Sequence, residues 1–146
     1  LKLSRGLGDV YKRQTHCHDS NISTFLKKIQ NDLFDIGGHI SMKLDDDTSI
    51  VNEKMITELE SQVSHLNENL DPLKEFILPG GDNFSANLHL ARAVTRRAER
   101  SAVALYEHSL SKNPIVMYLN RLSDYFFVLS RYHNKINDLS ETTWKR

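Results

Sequence analysis

Cysteine is nearly missing from this chain. It has one cysteine, Cys17, which excludes an intramolecular disulfide framework and fits a reducing compartment. Charge of one sign is missing too. The 19 basic and 19 acidic side chains cancel over 146 residues, and that balance argues against a nucleic-acid binder, which carries a basic excess over its whole domain. No apolar run approaches the ~20 residues of a membrane span, and no signal-peptide pattern is present. The expected setting is cytoplasmic, with neither nucleic acid nor membrane as partner. Hardly any segment alternates with period two, and there is no internal repeat or low-complexity tract.

What is present is helical periodicity in a chain long enough for one domain with a core of its own. Residues 1–14, "LKLSRGLGDVYKRQ", lack that periodicity and are similar to translated sequencing-adaptor read-through. They are read as non-native, and the domain as residues 15–146. The "GLGD" within them has no strand before it and no helix after it, the setting a phosphate loop needs.

Four helices follow. In the first, Ile22, Phe25, Leu26, Ile29, Leu33, Ile36 and Ile40 recur at threes and fours. Asp19, Ser20 or Asn21 is the candidate cap. Ile36 and Ile40 stay in phase across Gly37-Gly38, so one continuous helix is predicted, its glycines admitting another backbone close by. "LDDDTS" is a polar loop, with Thr48 or Ser49 as the next cap. The second helix spans about 50–70, with Ile56, Leu59, Val63, Leu66 and Leu70 as its stripe, ended by Asp71-Pro72. "LKEFILPGG" is an apolar connector that should lie against something. The third helix spans about 82–110, with Leu90, Ala91, Val94, Ala98, Ala102 and Leu105 as its apolar arc. Asn113 caps the fourth, Pro114 opens it, and Ile115, Leu119, Leu122, Phe126 and Leu129 face the core. The fold class is all-α, an up-and-down helical bundle with short loops.

The polar faces of the last two helices carry the functional signal. At about 100° per residue, Arg92, Arg96, Glu99 and Arg100 share one side of the third helix, and Arg97 points toward the edge of the apolar arc. Asn120, Asp124, Phe127 and Arg131 share one sector of the fourth. One reading is a solvated face with local Glu99 pairing, at about 0.2–0.5 kcal/mol per pair. The other starts from like charges stacked four apart, which repel and ask for an anion. If the two faces converge, Asp124 orients one guanidinium and leaves others for a carboxylate or phosphate. His16-Cys17-His18-Asp19 has metal-ligand residue types but no second ligand cluster, so no protein metal site is expected. Tyr125, Phe126 and Tyr132 are read as packing, and Trp144 as part of a polar tail.

"FILPGGDNFSANLHLARAVTRRAER" followed by "LNRLSDYFFVLSRY" resembles the ATP:cob(I)alamin adenosyltransferases of the propanediol-utilisation type. "IQNDLFDIGGHIS" and "ITELESQVSHLNENLDPLKEF" are similar to that family as well. The resemblance implies a helical bundle assembled as a homotrimer, with ATP between subunits and cobalamin beside it. The implied reaction moves the 5′-deoxyadenosyl group of ATP to cobalt and releases triphosphate, with Mg²⁺ assisting. By the same resemblance Arg96, Arg97, Glu99, Arg100 and Asn120 contact ATP. Arg92 bridges to an aspartate of a neighbouring subunit, and Asp124 joins that polar network. Phe76 sits under the corrin ring, with His89 nearby. An apolar Phe76 there excludes water and the dimethylbenzimidazole base, which eases reduction of cobalt to Co(I).

Members of that family begin with a segment containing a Thr-Gly-Asp phosphate loop and a Thr-Asp-Glu-Leu-like stretch, and neither is found in residues 1–14. The expectation is a fragment lacking part of the ATP site and the partner of Arg92. The rival expectation is a non-catalytic bundle, an oligomerisation or adaptor module with an anion-binding arginine face.

Overall fold

The computed structural model describes residues 19–42, 50–106 and 113–146. Four helices fill most of them: α1 (Ser20–Ser41), α2 (Glu53–Asn67), α3 (Asn83–Leu105) and α4 (Pro114–Ile136). Each begins on a side-chain cap that satisfies free backbone amides. Asp19 Oδ1 accepts from the Asn21 amide at 2.9 Å, Asn52 Oδ1 from Met55 at 3.0 Å, Asp82 Oδ1 from Ser85 at 2.8 Å and Asn113 Oδ1 from Ile115 at 2.9 Å.

The α1 stripe is buried from Ile22 to Ile36, and the helix runs unbroken through Gly37-Gly38. A Cβ added at Gly38 would meet nothing within 4 Å, so the expected close backbone is absent there. The α2 boundaries are tighter than the sequence suggested. Val51 is buried just before the cap and Ile56 one turn inside, the two positions of a hydrophobic staple, and this holds Ile50 and Val51 outside the helix. Thr48, Ser49 and the rest of "LDDDTS" lie outside the described residues, as does His16-Cys17-His18.

The core face of α3 is Phe84, Leu88, Ala91, Thr95 and Ala102. Leu90 and Leu105, expected in the apolar arc, are each 60% exposed. Phe84, whose ring centroid lies 4.5 Å from that of His133 on α4, and Leu88 are buried instead, which turns the buried sector away from Leu90. Every core residue expected of α4 is buried, and Tyr125 and Phe126 are packing residues at 0% exposure. Tyr125 meets Phe25 of α1 edge-on, with ring centroids 5.1 Å apart.

Side-chain contacts give the topology. Phe25 of α1 meets Tyr125 at the middle of α4, and Asp32, two turns further along α1, accepts from the hydroxyl of Tyr118, two turns earlier in α4, at 3.1 Å. Glu60 and Asn69 meet Arg121 and Lys135 in the same chain direction. Asp82, Arg92 and Glu99 meet His133, Phe127 and Asn120 in opposite order. Hence α1 and α3 run antiparallel to α4, and α2 runs parallel to it: an up-and-down bundle with α4 central. Among the described residues no helix is long and apolar enough to cross a membrane.

The connector does find a partner. The Leu78 amide donates to the Thr142 carbonyl and the Trp144 amide to the Phe76 carbonyl, both at 2.8 Å. Ile77 and Thr143 form an antiparallel bridge, so connector and tail make a short two-stranded clip. Gly80 and Gly81, with φ of 144° and 100°, turn the chain from the clip into α3 in a conformation that side chains beyond glycine rarely adopt.

Candidate functional site

The polar faces of α3 and α4 converge. Arg96 Nη1 donates to Glu99 Oε2 at 2.7 Å, and Asn120 Nδ2 donates to Glu99 Oε1 at 3.0 Å. Arg121 Nη1 donates to Asn120 Oδ1 at 2.9 Å, and Arg121 Nε to Glu60 Oε1 at 2.7 Å. A chain of polar contacts thus crosses from α3 through α4 to α2. Glu99 is its junction, with a side chain 14% exposed. Helical spacing of three puts Arg96 and Glu99 side by side, and antiparallel packing brings Asn120 to the same carboxylate.

One turn before Arg96, the Arg92 guanidinium lies 4.6 Å from the centroid of the Phe127 ring, a cation–π contact. Phe127 is the apolar member of the otherwise polar α4 sector, and this contact accounts for it. Arg100 is exposed, and among the described residues Arg92, Arg97 and Arg100 make no ion pair. Guanidinium groups remain free for an anion, as the stacked charge suggested.

Two expectations change, for Asp124 and Arg131, while Arg97 stands at the edge of the apolar arc as the helical spacing put it. Asp124 reaches Arg121 on its own helix at 3.9 Å, with a side chain 57% exposed, and no α3 guanidinium. Both Asp124 and Arg121 belong to α4, and Glu99 already occupies Arg96. Arg97 lines an apolar groove of about 360 Å³ with Leu33, Ile36, Val94 and Ala98, on a different side from Arg96. Arg131 shares the α4 sector but turns to the connector and the tail.

Phe76 and Arg92 line one open cleft of about 450 Å³, with Leu73, Lys74, Ile77 and Phe127. Phe76 is 78% exposed, and the nearby ring is that of Trp144, edge-on at 6.3 Å between centroids. Sequence reasoning passed over Trp144 because pairing between the connector and a remote tail leaves no local pattern. Arg121 went unnoticed because its arginine reads as an ordinary surface charge.

His89 is buried at 8% exposure. Burial, and then the Arg92 charge, push its imidazole below the ordinary value, against a smaller upward pull from Glu141. It is a neutral imidazole at pH 7, and its charged neighbours are Arg92 and Glu141. Asp82 accepts from both the Ser85 amide and His133 Nε2, the latter at 2.7 Å. Burial alone would raise this carboxyl, but those hydrogen bonds outweigh it and hold the group below its usual range.

The chain is similar to known adenosyltransferases in sequence and in fold. Residues 6–133 match the model for cobalamin adenosyltransferase, a match that begins within the segment 1–14 set aside above. A corrinoid adenosyltransferase of Bacillus subtilis is 36% identical over 126 residues, covering 86% of this chain and 65% of that protein. A cobalamin adenosyltransferase of Cupriavidus metallidurans is 38% identical over 148 residues, covering 96% and 79%. Among solved structures, a variant PduO-type ATP:corrinoid adenosyltransferase from Lactobacillus reuteri complexed with cobalamin and ATP superposes with a TM-score of 0.86. It is 31% identical and covers 99% of this chain and 81% of that one. The chain spans just under two thirds of the Bacillus subtilis relative.

Proposed function

Because the chain belongs to the cobalamin adenosyltransferase family, we propose that it transfers the 5′-deoxyadenosyl group of ATP to cob(I)alamin. The observation that carries this reading is the cleft that Phe76 and Arg92 share. It sets an exposed aromatic shelf beside an arginine face that continues to Arg96 and Arg100, about 12 Å along α3 at 1.5 Å per residue. A flat apolar ring system and a polyanion need such neighbours.

Cob(I)alamin supplies the nucleophile. Its cobalt forms a bond to C5′ of ATP as the C5′–O bond breaks, and the electron pair leaves with triphosphate. No proton moves, so no general base is required. The protein's part is to position and to stabilise charge. Arg96 and Arg100 face the leaving triphosphate. Glu99 fixes Arg96, and Asn120 closes the same pocket. Arg92, stacked on Phe127, spans the two substrates and pairs with an aspartate of a neighbouring subunit. Asp124 supports this network through Arg121. Phe76 covers the lower corrin face and excludes axial ligands, and His89 backs the Arg92 end of the cleft as a neutral group.

The assembly proposed is a cytoplasmic homotrimer with its sites between subunits. In that arrangement Arg97, which stands apart from Arg96 within one subunit, reaches ATP held by a neighbour. Among the described residues no three His, Cys, Asp or Glu side chains cluster closely enough to hold a metal. A Mg²⁺ travelling with ATP would neutralise charge on the triphosphate beside Arg96 and Arg100.

The test is direct. The chain is mixed with ATP and cob(II)alamin under a reductant strong enough to give Co(I), and adenosylcobalamin and triphosphate are measured. Formation of both, lost in Arg96→Ala, supports the reading. Binding of neither ATP nor cobalamin sinks it and favours the non-catalytic module.

A further inference from the structure

One buried cation has no part in the chemistry above. Arg131 on α4 is 9% exposed, and its guanidinium reaches two segments remote from each other in sequence. Nη2 donates to the carbonyl oxygen of Asp71 at 2.8 Å, where the connector leaves α2. Nε donates to Glu141 Oε1 at 3.3 Å, in the tail after α4. Beyond these anchor points the connector and tail pair as the clip, through Leu78 to Thr142 and Trp144 to Phe76.

A buried guanidinium is a poor route to stability alone, because desolvation offsets most of its attraction and an apolar residue of similar size does as well. Its planar fork is suited to geometry, since it fixes two acceptors at a set angle. The clip it fixes is no core element either. Phe76 is 78% exposed, Leu73 45% and Leu78 41%. The strand therefore presents Phe76 to the cleft and does not bury it.

We propose that Arg131 is a positioning residue that pins both strands of the clip to α4, through Asp71 and Glu141, and thereby sets where Phe76 stands relative to Arg92. It touches neither substrate. The link to turnover rests on the function proposed above, and the clamp itself does not.

The test uses the full chain with Arg131→Met, Arg131→Lys and Glu141→Gln. Hydrogen exchange is read at the Leu78 and Trp144 amides, both hydrogen-bonded across the clip. Emission is read from Trp144, the only tryptophan. Both amides should exchange faster in all three variants while the α3 and α4 amides keep their protection, and Trp144 emission should shift. Turnover from cob(II)alamin should fall roughly ten- to hundredfold in kcat, as misplacement of a remote support does, with KM for ATP unchanged. Should Arg131→Met fail to fold, Glu141→Gln carries the test, since it removes the charge that holds Arg131 Nε and changes the tail alone. Wild-type exchange at Leu78 and Trp144 in Glu141→Gln and Arg131→Lys overturns the clamp. So does a loosened clip with undiminished kcat in a chain whose wild type is active. A wild type without transferase activity counts against the function alone, and the exchange data then decide the clamp.

Discussion

Asn120 and Arg96 lie on different helices and meet on one carboxylate, with Asn120 Nδ2 3.0 Å and Arg96 Nη1 2.7 Å from the two oxygens of Glu99. Glu99 therefore aims a guanidinium and an amide at the same space while using up little of either. Replacing it by Gln keeps the shape and loses the charge that holds Arg96. Glu99→Gln should lower kcat/KM for ATP by about ten- to hundredfold, the equivalent of one charge-assisted bond at roughly 1.5–3 kcal/mol. Initial rates against ATP concentration measure it. A thermal melt should hardly move, because the Arg96 side chain is half exposed.

Phe76→Ala separates shelf from scaffold. At 78% exposure the ring contributes little to the fold, so the melting temperature should stay within a degree or two. Turnover starting from cob(II)alamin should drop by about tenfold or more, and turnover starting from chemically prepared cob(I)alamin should drop less. Equal losses in the two assays would show that Phe76 does not act on the axial ligand.

Gly38→Ala should stabilise the chain by about 0.5–1 kcal/mol. Gly38 is helical and space for the methyl is open, so the substitution removes unfolded-state entropy without strain. Urea denaturation measures this as a higher midpoint with an unchanged slope.

The pH dependence of stability follows from His89 and Asp82. The folded state holds His89 below its ordinary value of 6.5, so the unfolded chain binds the extra proton first. Stability is full above that value and falls as pH drops from it toward the folded-state pKa. Asp82 is held below 3.8. Its contribution is present above 3.8 and disappears as pH falls further. Denaturation midpoints between pH 5 and 7 should therefore decline on the acid side in the wild type and flatten in His89→Gln. A slope unchanged by that substitution would assign the decline to other groups.

The helices could be read from the sequence because their signals are local. Caps such as Asn113-Pro114 and the stripe from Ile22 to Ile36 occupy neighbouring turns, and burial follows the period. The convergence of Arg96, Glu99 and Asn120 was legible for the same reason, since two polar sectors on adjacent antiparallel helices have few places to go. Leu90 misled because periodicity gives a face without saying how wide its buried sector is. Asp124 misled because a helix wheel cannot tell which of several carboxylates an arginine takes. The clip could not be seen at all. Two backbone hydrogen bonds and one bridge join Phe76–Leu78 to Thr142–Trp144, and neither segment has strand periodicity.

That pairing also orders events during synthesis. The strand bearing Phe76 emerges from the ribosome well before the residues that hold it, and its partner follows only after α4 is complete. A nascent chain can assemble the caps and stripes of its helices as they appear, but the aromatic shelf waits until Thr142, Thr143 and Trp144 have been translated. A premature stop codon shortly after Ile136 would spare the four helices described and leave Phe76 on a strand with nothing to lean on.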